Sequence, residues 1–109
     1  MRKVVSNTTP LISLLKINQL NILRNLYGQI FIPYVVFNEI EAGKSKGFYK
    51  DLSKIDWIKI VEIKDISAVK YFLDLDSGEA EAIVLANELG ADLVILDERL
   101  EVLRKTFRT

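Results

Sequence analysis

With 109 residues, half of them apolar, the chain can bury one hydrophobic core, and a single domain is expected. Lys plus Arg and Asp plus Glu balance at 15 each, so no overall positive field announces a nucleic-acid partner, and any such surface must be local. Cysteine is absent, which excludes disulfides and thiolate metal sites; histidine is absent too, so metal or acid-base chemistry must fall to carboxylates.

Taken in chain order, "KVV", ending at Ser6 and Asn7, reads as a short buried strand. Thr9-Pro10 then reads as a helix start, with a hydroxyl N-cap and proline at the first helical position, followed by a stripe of Leu11, Leu14, Leu15 and Ile17. A second helix is expected from Leu20 to Leu26, stopped by Gly28 as a left-handed cap. "QIFIP" is apolar without alternation, as strands of a parallel sheet covered on both faces are. Pro33 ends it and starts the helix "YVVFNEIEAG", which closes at Gly43. Residues 43–54 form an exposed loop or frayed helix carrying Lys44, Lys46, Lys50 and Lys54 against Asp51 alone.

"WIKIVEI", from Trp57 to Ile63, alternates enough to be an edge strand with one wet face. "ISAVKYFL" follows as a short helix, "SGEAEAIVLANELG" as a strong helix ending at Gly90, "DLVILD" as a buried strand, and "ERLEVLRKTF" as a final helix. Strands alternating with helices predict a three-layer α/β/α fold around a parallel sheet of about four strands, joined by right-handed crossovers. No apolar run reaches the roughly 20 residues that span a bilayer, and Met1-Arg2-Lys3 leads into a strand of two valines, so a cytoplasmic protein is expected.

Ligands of open parallel sheets bind beyond the C-terminal ends of the strands. Asn7 ends the first strand, Asp97 ends "DLVILD", and Glu79 sits in the first turn of the helix before it. Glu39 lies four after Val35, on or beside the apolar face that Val36 and Ile40 share, and Glu79 stands likewise to Ala82, Ile83 and Ala86. Carboxylates beside a core need a neutralising partner, and without His or Cys the hard oxygens suit Mg²⁺ or Mn²⁺ rather than zinc. Each acid also has a structural explanation. Asp76 and Glu79 have capping-box spacing, Glu39 can reach water from a boundary position, and Asp97 can cap the last helix. Glu81, Glu88 and Glu98 read as solvated helix positions, and Tyr27, Tyr34, Phe48 and Tyr49 as packing or surface aromatics.

Three segments, "VVSNTTPLISL", "IPYVVFNEI" and "SGEAEAIVLANELGADLVILDERL", resemble in order and spacing the PIN-domain family, which includes VapC-type toxins and RNA-processing endonucleases. The likeness runs from Val4 to about Leu100, within a single domain over residues 1–109 that is expected to lack the last strand and helix of longer relatives. It implies catalytic positions at Asn7, Glu39, Glu79 and Asp97, with Glu39, Glu79 and Asp97 as metal ligands and Thr8 and Thr9 in support. It further implies a pocket for one or two Mg²⁺ or Mn²⁺ ions and hydrolysis of RNA by activated water. RNA is then the substrate and an antitoxin protein a partner; Lys44, Lys46, Lys50, Lys54, Arg99, Arg104, Lys105 and Arg108 are the candidates for phosphate contact, with a solvated basic surface as the alternative explanation of the loop lysines. Two positions depart from the family pattern. Asn7 replaces the first aspartate and removes a full charge, which lowers affinity for a divalent ion, and Ile95 stands where a Ser or Thr is usual. The alternative is a non-catalytic domain that binds RNA or protein. An open sheet edge and the uncovered stripe of Leu100, Leu103 and Phe107 lead us to expect a homodimer or larger oligomer.

Overall fold

The structure, a computed structural model, describes residues 3–97. Four parallel strands form one sheet: β1 (Val4–Ser6), β2 (Ile30–Pro33), β3 (Ile58–Val61) and β4 (Leu93–Ile95), in the order β3-β2-β1-β4. In register, Val4 lies opposite Leu93, Val5 opposite Val94, and Ile32 opposite Ile60. Successive residues point to opposite faces. Val4, Ile30, Ile32, Leu93 and Ile95 therefore pack into one core, and Val5 and Val94 into a second on the other face. This double coverage explains why the central strands are apolar without alternation.

Helices α1 (Thr8–Lys16), α2 (Asn21–Tyr27) and α3 (Tyr34–Ala42) cover the first face, and α4 (Ser77–Leu89) covers the second. The three-layer parallel fold expected from the sequence is thus the fold of the chain. Helix α1 starts earlier than expected: Asn7, not Thr9, is its N-cap, and Pro10 is buried at the third helical position. The first four N–H groups of a helix have no partner within it, so proline removes nothing there. Helix α2 begins one residue later than expected and ends at Gly28, whose φ is +78°.

The segment after α3 is better anchored than an exposed loop. Leu52, in a 3₁₀ turn over Leu52–Lys54, is fully buried, and Phe48 and Tyr49 pack against the first core. Strand β3 is the expected edge strand, with Ile58 buried and Lys59 exposed. "ISAVKYFL" is not an α-helix. It is a 3₁₀ segment over Ile66–Phe72 with no buried residue, leaving Ile66, Tyr71 and Leu73 largely exposed. Its β-branched Ile66 and Val69 favour helix weakly, and it packs too little apolar surface on the second core to offset that. Helix α4 ends at Gly90 in the left-handed conformation, φ +63° and ψ +41°. The final helix expected over "ERLEVLRKTF", with Glu98, Leu100, Leu103 and Phe107, lies outside the described residues.

All strands being parallel, Asn7, Pro33 and Leu96 come to the same end of the sheet. The chain builds β2 and β3 on one side of β1 and then returns to add β4 on the other, so the order reverses between β1 and β4. Such a reversal opens a crevice at the strand ends. Among the described residues, no helix is long and apolar enough to cross a membrane.

Candidate functional site

Asn7 follows β1 directly and is only 2% exposed. Its N–H donates to the Ile95 carbonyl at 2.8 Å, and its side-chain Nδ2 donates to the Leu96 carbonyl at 3.3 Å, which ties it to the end of β4. With Nδ2 so engaged, Oδ1 faces the other way, and it is buried with no hydrogen-bond partner among the described residues. An unpaired buried carbonyl oxygen costs about 1–3 kcal/mol unless something occupies the space before it.

That space is bounded by α3 and α4. A Cβ built on Gly78, in the first turn of α4, would lie 2.7 Å from Asn7 Oδ1 and 2.7 Å from Glu39 Oε1. The two oxygens therefore lie no more than twice that distance apart, and only a glycine leaves the gap between them open. Glu39, exposed on α3, accepts a hydrogen bond from the Thr8 hydroxyl, so the residue after Asn7 orients the carboxylate that faces it. Thr9 is exposed on the first turn of α1 and makes no side-chain hydrogen bond among the described residues.

Beside Gly78, Asp76 caps α4 by accepting from the Glu79 N–H at 2.8 Å, so the capping explanation of this pair holds. The Glu79 carboxyl is raised above the ordinary glutamate range, first by burial and then by the charges of Asp76 and Asp97. Glu79 and the C-terminal end of β4 thus share one electrostatic neighbourhood. Glu81 is not the freely solvated position expected from its spacing. It is half-buried, and its carboxyl is raised first by burial, then by Glu39 and Glu62. Helical periodicity explains this: Glu81 lies three residues after Gly78 and so shares the face that Gly78 presents to Asn7 and Glu39. It also lines a cavity of about 360 Å³ with Tyr34, Asn38, Glu62 and Ile66. Glu88 is likewise engaged, accepting from the Lys64 N–H at 2.8 Å and the Asp65 N–H at 2.8 Å.

Among the described residues, no three acidic side chains gather into a group that could hold a metal ion. Glu39 faces Asn7 and the field of Glu81, whereas Glu79 lies in the field of Asp76 and Asp97. A hard divalent cation nevertheless suits what Asn7 and Glu39 offer, an orphaned amide oxygen and a carboxylate oxygen across an open gap. The two residues fit such an ion in donor type. Ile95 packs fully buried in the first core and brings no hydroxyl to this end.

Of the expected phosphate-binding lysines, Lys44 pairs with Glu41 at 3.5 Å, and Lys50 donates to Asn18 Oδ1 at 3.5 Å. Lys46 lines a cavity together with Glu39. Arg99, Arg104, Lys105 and Arg108 lie outside the described residues. The family profile that matches the chain, over residues 3–104, is described as a PIN domain. No characterised protein and no solved structure gives a significant match.

Proposed function

Because the chain belongs to the PIN-domain family, a nuclease-type fold, we propose that it is a divalent-metal-dependent ribonuclease of the toxin type. One observation carries this reading: the unpartnered Asn7 Oδ1 facing Glu39 Oε1 over the bare Cα of Gly78, at the strand ends where a parallel sheet binds ligands. Asn7 and Glu39 would hold Mg²⁺ or Mn²⁺, with Glu79 and Asp97 supplying further negative charge at the same end of the sheet. When bound, the ion supplies Lewis-acid polarisation of the phosphate and activation of water. Thr8 fixes the Glu39 carboxylate by hydrogen bonding, and the missing Gly78 side chain keeps the approach open. RNA is the substrate on this reading, and an antitoxin protein the partner.

A second reading, a non-catalytic PIN domain that binds RNA or protein, is favoured by two facts. An amide stands at position 7 where the family carries an acid, and no three acidic groups gather among the described residues. One experiment separates the two: thermal melts of the full chain with and without Mn²⁺, beside cleavage of a labelled oligoribonucleotide by wild type, Glu39→Gln and Asp97→Ala. A nuclease is stabilised by Mn²⁺ and loses cleavage in both variants. Cleavage that survives Asp97→Ala belongs to a contaminating enzyme and removes the assignment. RNA binding with neither a Mn²⁺ response nor cleavage establishes the second reading.

A further inference from the structure

The loop between α3 and β3 forms one wall of a trough that leads away from the candidate site. Two cavities, of about 390 and 450 Å³, share Lys16 and Phe48 in their linings. The first reaches Glu39 and contains Lys46, and the second continues past Asn18 to Lys50. Each falls in the range of about 300–1,000 Å³ typical of small-ligand clefts. Among the described residues, Glu39, at one end, is the only carboxylate in either lining.

The lysines here differ from the one just outside. Lys44 is neutralised by Glu41, whereas Lys16, Lys46 and Lys50 form no ion pair among the described residues. Two of them are held in place by neutral groups that leave their charge uncompensated. The Lys16 ammonium lies 5.7 Å from the centroid of the Phe48 ring, which is itself packed on the core. Lys50 donates to Asn18, a residue whose left-handed backbone, φ +56°, closes the turn after α1. Three cations on a concave surface with an apolar floor that includes Ile12 and Tyr49 complement a chain of phosphates whose bases are free to meet an apolar face. A duplex keeps its base faces stacked inward and cannot use that floor.

We propose that a single strand of RNA lies in this trough, its phosphates on Lys16, Lys46 and Lys50 and its path ending at Glu39. The choice of RNA rests on the nuclease reading; the trough and its charge do not. The test is fluorescence anisotropy of a labelled single-stranded oligoribonucleotide with the full chain in a metal chelator, so that binding is read without catalysis. Lys16→Glu with Lys46→Glu should weaken binding at least tenfold, and Lys50→Glu severalfold, while Lys70→Glu, on the opposite face of the sheet, should leave it unchanged. The slope of log Kd against log salt should fall by about 0.7 for each lysine–phosphate pairing removed. Unfolding curves matching wild type confirm that the exposed-lysine variants fold.

Absence of wild-type binding at low salt, equal weakening by Lys70→Glu, or a duplex bound as tightly as the single strand overturns the proposal. The two readings fail separately. Metal-free binding that depends on these lysines without any cleavage leaves the trough standing and removes the nuclease. Mn²⁺-dependent cleavage unchanged by Lys16→Glu with Lys46→Glu does the reverse.

Discussion

Replacing Gly78 by alanine tests the geometry of the gap without touching a charge. In a helix, Gly→Ala normally stabilises by about 0.5–1 kcal/mol. Here the new methyl would sit 2.7 Å from two oxygens, closer than a carbon and an oxygen can pack, and overpacking costs about 1–3 kcal/mol. The two oxygens are not equally able to give way. Glu39 is exposed and can swing its carboxylate aside, whereas Asn7 is 2% exposed and tied to Leu96. Gly78→Ala should therefore destabilise the chain by about 1–2 kcal/mol, mainly through Asn7. Urea unfolding followed by Trp57, which packs against the first core, should show the midpoint falling by about 0.5–1 M for an m-value near 2 kcal/mol/M. In an Asn7→Ala background the same substitution should become neutral or stabilising, a coupling of about 1.5 kcal/mol or more, while in a Glu39→Ala background most of the cost should remain. A higher midpoint for Gly78→Ala alone, or equal rescue by both backgrounds, would refute this reasoning.

The acids on α4 supply two more tests. The Glu81 carboxyl is raised in the fold, so its ionisation works against stability: the stabilising contribution is complete below the unfolded value of about 4.3 and is lost as pH rises through the folded one. Glu81→Gln should then melt higher than wild type at pH 7, with the difference closing toward pH 4; a lower melting temperature at pH 7 would contradict it. Glu88→Ala removes the acceptor of the Lys64 and Asp65 N–H groups and should cost about 1 kcal/mol in urea unfolding, with faster amide exchange at those two residues.

Much of the fold is legible in the sequence because its cause is local. Apolar runs such as "QIFIP" and "DLVILD" announce strands covered on both faces, and Gly28 and Gly90 do stand at the helix ends with positive φ. The start of α1 is not fixed by the same means, because proline at the first and at the third helical position leaves the same mark in sequence. The 3₁₀ segment over Ile66–Phe72 carries the apolar content of a packed helix, yet packing is settled by distant residues. At the site, the meeting of Asn7 with Glu39 follows from topology. The half-buried state of Glu81 does not follow from its own neighbours in sequence, since the face that matters is defined by Gly78, three residues earlier. A glycine in the first turn of a helix, at a position that needs no unusual backbone angle, is the available signal of close approach.

The hydrogen bond from Asn7 Nδ2 to the Leu96 carbonyl also bears on how this site can change by mutation. An ionised aspartate at position 7 has no proton to give that carbonyl, and two oxygens would then repel where an amide and a carbonyl now attract. The peptide that would have to move leads directly into Asp97. Position 7 and position 97 are therefore joined through that peptide: an Asn7→Asp replacement that adds a carboxylate also gives up the side-chain tie to the backbone leading into Asp97, leaving the main-chain N–H of position 7 on the Ile95 carbonyl to hold it. The amide is a fastener, and a carboxylate at this position alone pits electrostatic gain against loss of alignment.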